Sequence, residues 1–344
     1  MGKLKIVVIG AGSIGKRHVA VIKKSKHAKL VGIADNDLSL ESVAQSAGVP
    51  FFPDFNVMLS RTNPDGAVIS TPTKHHFLPA MAALDHGADL LIEKPISATV
   101  TEALKISEKA KLLNRKILVG HHRRYYPVMK YLRDFLVREE IGVLTALNGQ
   151  WTTLKPANYF IPEWRKSIAA GPVLTNLIHE IDSLRFLCGE IEMISAEISN
   201  SVRKFEKEDT VAIIIRFKSG VIGSFLLSDG VFSPWTWESA MGENVAIPQG
   251  FQNTHRFCGT KGSVEFPRLR VWSEKEPGKG WNSQFNKYAV KTPFVDAYVV
   301  QSEHFYNVIR RLEEPITSAE DGTKTLAATI AVFESANLGE KIRL

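Results

Sequence analysis

The sequence predicts an α/β protein of two domains, and two observations lead to this class. With 344 residues, the chain is longer than one compact domain of about 100–200 residues. Up to about residue 120, short β-branched runs alternate with stretches of helical spacing, and this rhythm ends at HHRRYYP, residues 121–127. Apolar strands separated by helices are typical of a parallel sheet covered on both faces. We therefore place a first domain at residues 1–122 and a second at 123–344.

The first domain is predicted to contain five strands and four helices. The strands are predicted at Leu4–Ile9, Leu30–Ala34, Ala67–Ser70, Leu90–Ile92 and Ile117–Val119. The helices are predicted at Gly15–Lys24, Ser39–Ala47, Phe77–His86 and Thr101–Asn114. Open parallel sheets bind ligands at the carboxyl ends of their strands, near the point where the strand order reverses. Polar residues that directly follow these strands are therefore the first candidates for binding.

The stretch GAGSIG at 10–15 has the form G-x-G-x-x-G and lies between the first strand and the first helix. The first glycine permits a tight turn, the second lets a pyrophosphate approach the backbone, and the third lets helix and strand pack closely. These glycines are Gly10, Gly12 and Gly15, and Ser13 and Ile14 at the helix start offer backbone N–H groups to phosphates. The pattern predicts a Rossmann dinucleotide-binding domain.

An acidic residue at the end of the second strand indicates which dinucleotide binds. Asp35 follows Gly15 by twenty residues, the position at which a carboxylate accepts hydrogen bonds from the adenosine ribose. Its negative charge repels a 2′-phosphate, so NAD is favoured over NADP. No basic residue follows Asp35 in NDLSLE, but Arg17 in the first helix could reach a 2′-phosphate, which leaves NADP as an alternative.

Two further strand ends carry candidate residues. STPTKHH at 70–76 places Thr71, Pro72 and His76 beside a bound dinucleotide, although His76 is equally suited to begin or cap the next helix. Adjacent histidines diverge and no third ligand lies at metal spacing, so we expect no metal site. Next, in LLIEKP the strand residues are followed by Glu93 and Lys94, and Pro95 restricts the lysine to an extended backbone. Most strand-end lysines are simply solvated, but an ammonium beside a nicotinamide can exchange a proton with an alcohol that loses hydride.

The second domain mixes helices with alternating strands. We predict helices at Val128–Glu139, Leu174–Leu187, Val299–Leu312 and Asp321–Leu338, and strands at Val143–Thr152, Met193–Ser201, Thr210–Phe217 and Val221–Ser228. Gly189 occupies the position of a helix C-cap, and the last three strands resemble an antiparallel meander. The two final helices are candidates for packing back on the first domain. Within the helix at 174–187, His179 and Asp182 share a face, which also fits a buried histidine with a satisfied hydrogen bond.

Composition excludes several classes of protein. No run of 18 uncharged apolar residues is present and the N-terminal apolar run is too short for a signal peptide, so we expect neither a membrane span nor secretion. Two distant cysteines, Cys188 and Cys258, predict no disulfide framework and favour a cytoplasmic protein. The net charge is +7, but the basic residues are scattered among acidic ones, which argues against a nucleic-acid partner.

Together these motifs resemble the Gfo/Idh/MocA oxidoreductases, a family that includes glucose-fructose oxidoreductase and inositol dehydrogenase. The resemblance covers nearly the whole chain and rests on GAGSIG followed by Arg17-His18, STPTKHH, EKP, VGHHRRYYP, WRKSIAAGPVLTNLIHEID and the paired C-terminal helices. It implies a Rossmann domain followed by an α/β domain with an open, mainly antiparallel sheet. Through the face of that sheet, members commonly form dimers or tetramers. A homodimer or homotetramer is therefore expected.

The resemblance also implies roles for individual residues. Lys94 matches the lysine near the nicotinamide and the substrate hydroxyl, often followed by a cis proline, and His179 matches the histidine that exchanges a proton with the substrate alcohol. Arg124 matches an element near the cofactor, and His122, Arg123, Trp164 and Arg165 are candidates for the substrate pocket. Many sugar dehydrogenases of the family carry an aspartate four residues before the histidine. Here Thr175, followed by Asn176, takes that position.

The expected function is an NAD-dependent dehydrogenase that removes hydride from a secondary alcohol of a sugar, inositol or related cyclic polyol. In that scheme Lys94 and His179 handle the hydroxyl proton, and Thr175 or Asn176 orients the hydroxyl. An arginine-rich pocket can bind a carboxylate bidentately, so a carboxylated cyclic diol of the dihydroxyphthalate type is a second expected substrate. Because the usual aspartate is absent at position 175, a regulatory protein that binds NAD without turnover is a third alternative.

Overall fold

The computed structural model describes residues 2–244 and 246–344, which form two compact units. The first unit comprises the chain up to Tyr125 together with the later segment Val295–Leu326, and the second comprises Tyr126–Phe294 and Ala327–Leu344. The chain thus returns to the first unit after completing most of the second. None of the helices in the described residues is long and apolar enough to cross a membrane.

The first unit is built around a six-stranded parallel sheet. Its strands are β1 Leu4–Ile9, β2 Ala28–Ala34, β3 Phe51–Phe52, β4 Gly66–Ile69, β5 Asp89–Ile92 and β6 Ile117–Val119. They follow the order β3-β2-β1-β4-β5-β6, with every neighbouring pair parallel. The strand order reverses between β1 and β4, which is the Rossmann topology. All residues of β4 and β5 are buried, as expected for a sheet with both faces covered.

Five helices accompany this sheet: α1 Ser13–Lys24, α2 Glu41–Ala47, α3 Phe55–Thr62, α4 Phe77–Asp85 and α5 Val100–Leu112. The five predicted strands and four predicted helices are confirmed with small shifts at their ends. The sequence prediction omitted β3 and α3. Strand β3 has only two residues, paired with the end of β2, and two residues cannot show the alternation that identifies a strand.

The second unit is built around a nine-stranded sheet. Its strands are β7 Leu144–Thr152, β8 Ile191–Ser199, β9 Thr210–Phe217, β10 Ile222–Ser228, β11 His255–Gly259, β12 Gly262–Phe266, β13 Arg270–Glu274, β14 Phe285–Ala289 and β15 Ile342–Arg343. The order is β14-β13-β12-β11-β7-β10-β9-β8-β15. Only the β10–β7 pair is parallel among these described strands. The prediction of an open, mainly antiparallel sheet is therefore confirmed.

The two faces of this sheet differ in burial. Along β9, the side chains of Val211, Ile213, Ile215 and Phe217 are buried, whereas the alternate residues Ala212, Ile214 and Arg216 are exposed. Strand β10 shows the same alternation. Because successive residues of a strand point to opposite faces, one face of the sheet packs into the core and the other faces outward.

The remaining helices are α6 Pro127–Val137, α7 Ile178–Cys188, α8 Trp237–Met241, α9 Ala297–Ile309 and α10 Ala319–Leu338. The predicted single helix at 174–187 begins differently, because Val173–Leu177 forms a π-helical turn in which the N–H of Ile178 donates to the carbonyl of Val173. Gly189 caps α7 at a φ of 89°, as predicted. In the first unit, α9 packs on α1, where the Arg17 guanidinium contacts the Asp296 carboxylate at 2.6 Å.

Candidate active site

The glycine-rich loop of the first unit has the geometry that its sequence predicts. Gly10 has a φ of 94°, and a Cβ there would lie 2.5 Å from the backbone nitrogen of Thr71. A Cβ on Gly15 would collide with the carbonyl of Gly10, whereas a Cβ on Gly12 would meet no atom within 4 Å. The loop is therefore packed against its neighbours at Gly10 and Gly15 and open at Gly12. These are the turn, helix-packing and phosphate-approach positions of a dinucleotide loop.

Asp35 connects the end of β2 to this loop. One carboxylate oxygen accepts a hydrogen bond of 2.7 Å from the N–H of Ala11, and the other accepts one of 2.9 Å from the N–H of Asp37. A carboxylate has about four acceptor positions, so both oxygens retain capacity for ribose hydroxyls. Asp35 thus holds the glycine loop and also presents a negative charge beside it.

A cavity of about 740 Å³ lies at this edge of the sheet. Its walls include Asp35 and Asn36 after β2, Pro53–Asn56 after β3, and Thr71 and Pro72 after β4. This volume is within the range of small-molecule sites, roughly 300–1,000 Å³. The open position at Gly12, the uncapped start of α1 and the cavity together fit a dinucleotide. Arg17, the alternative ligand of a 2′-phosphate, already contacts Asp296.

His76 joins two of the strand-end loops. Its Nε2 lies 2.8 Å from the carbonyl oxygen of Thr71, and its Nδ1 lies 2.9 Å from that of Pro95. The ring is 1% exposed, and burial lowers the pKa of His76 although both carbonyls and Glu93 act to raise it. The residue stands at the start of α4 as predicted, but its side chain makes no capping bond. Its role here is to tie the Thr71 loop to the loop that follows Lys94.

Lys94 follows β5 and is followed by a cis peptide bond to Pro95, as the family resemblance implied. Beside it, Glu93 is buried, and one of its oxygens lies 2.7 Å from Nε2 of His18. Burial acts to raise the pKa of Glu93, but the hydrogen bond and charge interaction with His18 outweigh it and hold that pKa below its usual value. Glu93 is thus a fixed, charged group immediately before Lys94.

The HHRRYY segment is anchored by the returning part of the chain. The imidazole of His122 stacks on Tyr298 with ring centroids 4.7 Å apart. The Arg124 guanidinium contacts the Asp321 carboxylate at 2.6 Å and donates to the carbonyl of Ile316. Arg123 is 1% exposed. In the first unit, the side chains of His122 and Arg124 are therefore held by side chains and a carbonyl from Val295–Leu326.

The remaining predicted site residues belong to the second unit. His179 is the second residue of α7 and is 8% exposed. Thr175 and Asn176 lie in the π-helical turn before it, and the Thr175 hydroxyl donates to the carbonyl of Gly171 at 2.9 Å. Trp164 is largely exposed, whereas the Arg165 guanidinium lies over the ring of Tyr159, 4.2 Å from its centroid.

The structure also shows a charged cluster in the second unit that the sequence did not predict. Asp229 is fully buried, and its carboxylate contacts Lys207 at 2.7 Å, Arg203 at 2.8 Å and Lys155 at 3.7 Å. The Nζ of Lys155 also donates to Oδ1 of Asn176 at 3.0 Å. Lys155, the pair Arg203 and Lys207, and Asp229 come from three separate parts of the sequence and share no motif, so no sequence signal identifies the cluster.

The fold and the glycine loop define a protein with a dinucleotide-binding Rossmann domain. Comparison with known families identifies the family to which the chain belongs. Residues 4–121 match the NAD-binding Rossmann domain of the Gfo/Idh/MocA oxidoreductase family, and residues 133–344 match the C-terminal α/β domain of that family. The chain belongs to the Gfo/Idh/MocA oxidoreductases and uses NAD as its cofactor.

Individual relatives are distant in sequence but similar in length. The chain is 23% identical to myo-inositol 2-dehydrogenase of Thermotoga maritima, covering 99% of this chain and 98% of that protein. It is 26% identical to the NAD⁺-dependent scyllo-inositol 2-dehydrogenase of Bacillus subtilis, covering 99% and 96%. Its match to the rhizopine catabolism protein MocA of Rhizobium meliloti is 27% identical and covers 55% of this chain and 59% of that protein.

Solved structures share the fold. An oxidoreductase from Agrobacterium radiobacter, in complex with NAD⁺, L-tartaric acid and magnesium, superposes with a TM-score of 0.83 at 18% identity, covering 99% of this chain and 98% of that one. The WlbA dehydrogenase from Bordetella pertussis, in complex with NADH and UDP-GlcNAcA, gives a TM-score of 0.81 at 21% identity, covering 100% and 99%. At these identities the similarity supports the fold.

Proposed function

We propose that this protein is an NAD-dependent dehydrogenase that oxidises a secondary alcohol of a sugar, an inositol or a related cyclic polyol. Two curated relatives that align over nearly the whole chain are inositol 2-dehydrogenases. The observation that carries the proposal is the placement of Lys94. His76 joins the loop after Lys94 to Thr71, and the Thr71 backbone lies against Gly10 of the nucleotide loop. The lysine therefore belongs to the same edge of the sheet as the cofactor loop.

The proposed chemistry divides among few residues. Bound NAD supplies the hydride acceptor. Lys94 takes part in accepting the hydroxyl proton, and the charged Glu93 beside it stabilises the ammonium group that forms when the lysine accepts that proton. His179 exchanges a proton with the hydroxyl of such an alcohol, and Thr175 or Asn176 orients that hydroxyl.

Replacing Lys94 tests this assignment. In Lys94→Ala we expect kcat to fall by about 10²–10⁴-fold, with the Kd for NAD changed less than about threefold, because the glycine loop and Asp35 are untouched. Turnover is measured as NADH absorbance across polyols, aldoses and diols, and NAD binding by calorimetry. Lys105→Ala, an exposed lysine of α5, is the matched control.

The same screen separates the proposed enzyme from the regulatory alternative. If wild-type protein binds NAD but turns over no polyol, aldose or diol, the dehydrogenase assignment is wrong and a cofactor-binding regulator replaces it. If Lys94→Ala turns over as fast as the control, the protein is a dehydrogenase but Lys94 is not its proton acceptor.

We also propose that the exposed face of the nine-stranded sheet binds a second copy of this chain. Ile214 of β9 and Ile222 and Leu226 of β10 are 53%, 45% and 43% exposed on the central strands. Their exposed neighbours on β7 and β10, Ala146, Asn148 and Ser224, carry no charge. Arg216, paired with Ile222, and Arg256, paired with Asn148, are charged residues beside these side chains. The apolar patch between them can meet its own copy across a two-fold axis.

A further inference from the structure

Lys155 lies in the loop after β7, in surroundings that are unusual for a lysine. Its side chain is 12% exposed, and its Nζ lies 5.1 Å from the ring centroid of Tyr159 and 5.6 Å from that of Trp151. Its shortest polar contact is the 3.0 Å hydrogen bond to the amide oxygen of Asn176. An ammonium group in this position has lost most of its water and gained a neutral partner.

The nearest carboxylate does not compensate this charge. Asp229 lies 3.7 Å from Lys155, but its two oxygens already accept from Arg203 and Lys207 at 2.8 and 2.7 Å. Burial lowers the pKa of Lys155 to about 8, with Asp229 and Glu238 acting to raise it and Lys207 and Arg203 to lower it. The cluster thus has a surplus of positive charge at its Lys155 end, and buried charges of this kind are costly without a partner.

Two other side chains near Lys155 carry hydrogen-bond donors. The Oδ1 of Asn176 accepts from Lys155 and lies 3.0 Å from the Thr175 hydroxyl, which leaves the amide Nδ2 as a donor. Arg165 lies over the Tyr159 ring, and within residues 2–244 and 246–344 its buried Nε has no hydrogen-bond partner. Lys155 and Arg165 both lie over the Tyr159 ring, and Asn176 is hydrogen-bonded to Lys155. Ammonium, amide and guanidinium N–H groups are the donors that oxygen atoms of an anion require.

We propose that Lys155, Asn176 and Arg165 form a subsite for an anionic group, a carboxylate or a phosphate, carried by the substrate. The proposal rests on the proposed dehydrogenase function and narrows its substrate class from neutral polyols to hydroxylated acids or phosphate esters. Asn176 lies three residues before His179 in consecutive helical turns. The anion would therefore be bound close to the residue that exchanges the hydroxyl proton, within the reach of one small molecule.

Binding measurements test the subsite without depending on turnover. Calorimetric titration in the presence of NADH compares D-glucuronate and D-glucose 6-phosphate with neutral D-glucose, and the two anions distinguish a carboxylate site from a phosphate site. We expect one anion to bind at least tenfold more tightly than glucose. In Lys155→Gln we expect that preference to fall by about 10- to 100-fold, since a hydrogen bond to a charged group is lost. Lys218→Gln, an exposed lysine of the second unit, should keep the wild-type preference.

A charge-conserving variant distinguishes the loss of the positive charge from a loss of folding. Lys155→Arg should retain a preference for the anion. Lys155 loses its proton as pH rises through about 8, whereas arginine stays charged. The wild-type preference should therefore weaken at higher pH, while that of the arginine variant persists. Equal affinity for all three sugars, or a preference unchanged in Lys155→Gln, overturns the subsite.

The outcomes for the subsite and for the proposed function are separable. Anion binding that depends on Lys155, without NADH formation from any alcohol, would leave the subsite standing and overturn the dehydrogenase. Turnover of neutral polyols without Lys155-dependent anion binding would leave the dehydrogenase standing and overturn the subsite.

Discussion

The two units present their candidate functional groups in different ways. In the first unit, the parallel sheet is buried on both faces, and its edge offers backbone N–H groups at a loop of glycines. In the second, the candidate groups are side chains: His179, Asn176 and the charged cluster around Asp229. The first arrangement depends on the absence of a Cβ at certain positions. The second depends on buried charged side chains that contact one another.

This difference determines whether a substitution affects ligand binding and stability separately or together. At Gly12, one added methyl group can prevent ligand binding while the fold persists, because only the ligand needs the space beside this glycine. A buried cluster of three cations around one carboxylate cannot lose the carboxylate without leaving those cations uncompensated. Substitutions should therefore affect binding and folding separately in the first unit and together in the second.

The largest effect is expected from Asp229→Asn. The change leaves Lys207 and Arg203 without their common counterion in a fully buried position. Breaking a buried ion pair typically costs about 3–5 kcal/mol, so we expect the free energy of unfolding to fall by about that amount in urea titrations. The matched control is Glu340→Gln, at an exposed position of the second unit that has no ion pair among the described residues. A loss no greater than in the control would show that the cluster is balanced in another way.

A smaller effect, divided between folding and binding, is expected from two glycines of the first unit. In Gly15→Ala the new methyl collides with the carbonyl of Gly10, so we expect a loss of about 1–3 kcal/mol in the free energy of unfolding. In Gly12→Ala the methyl meets no protein atom within 4 Å, so unfolding should change by less than about 1 kcal/mol. Instead, the Kd for NAD should rise at least tenfold, because the methyl occupies the path of the pyrophosphate.

Calorimetric titration with NAD and urea denaturation of both variants make the comparison. Equal losses of stability in Gly12→Ala and Gly15→Ala would contradict the separation of binding from folding in the first unit. Unchanged NAD affinity in Gly12→Ala would mean that the cofactor does not approach this part of the loop.

The contrast between the units also explains what the sequence could predict. The carboxyl ends of the strands of a parallel sheet meet at one edge. Asp35, Thr71 and Lys94 each follow a strand closely in the chain, and this was enough to predict that they lie at the same edge. The lining contributed by Pro53–Asn56 was missed because β3 is too short to show a pattern. Along the alternating strands, periodicity alone predicted the meander of β8, β9 and β10.

The charged cluster could not be predicted in this way. Lys207 precedes β9 and Asp229 follows β10, and the antiparallel register that pairs Thr210 with Ser228 brings them together. Lys155 reaches the same carboxylate from the loop after β7, which pairs with β10 in parallel. The contact thus depends on the order and register of three strands. Neither appears in the local sequence around any of these residues.

The smallest effect on folding is expected at the exposed face of the nine-stranded sheet, where one substitution can separate association from stability. In Ile214→Asp, the side chain is already 53% exposed, so the free energy of unfolding of a single copy should change by less than about 1 kcal/mol. In a two-fold interface the same residue appears twice. Each copy would lose about 1–2 kcal/mol of apolar burial and would also place a carboxylate against its partner.

Sedimentation measurements on wild type and Ile214→Asp decide whether this face binds a second copy. We expect the wild type to sediment as a dimer or tetramer and the variant to shift toward smaller species. Leu112→Asp, at an 84% exposed position of α5, is the control and should sediment as wild type. A monomeric wild type would leave the exposed apolar face without the proposed partner. An oligomer that is insensitive to Ile214→Asp would place the interface elsewhere on the chain. In that case the first sheet would be buried on two faces and the second on only one in the assembled protein as well.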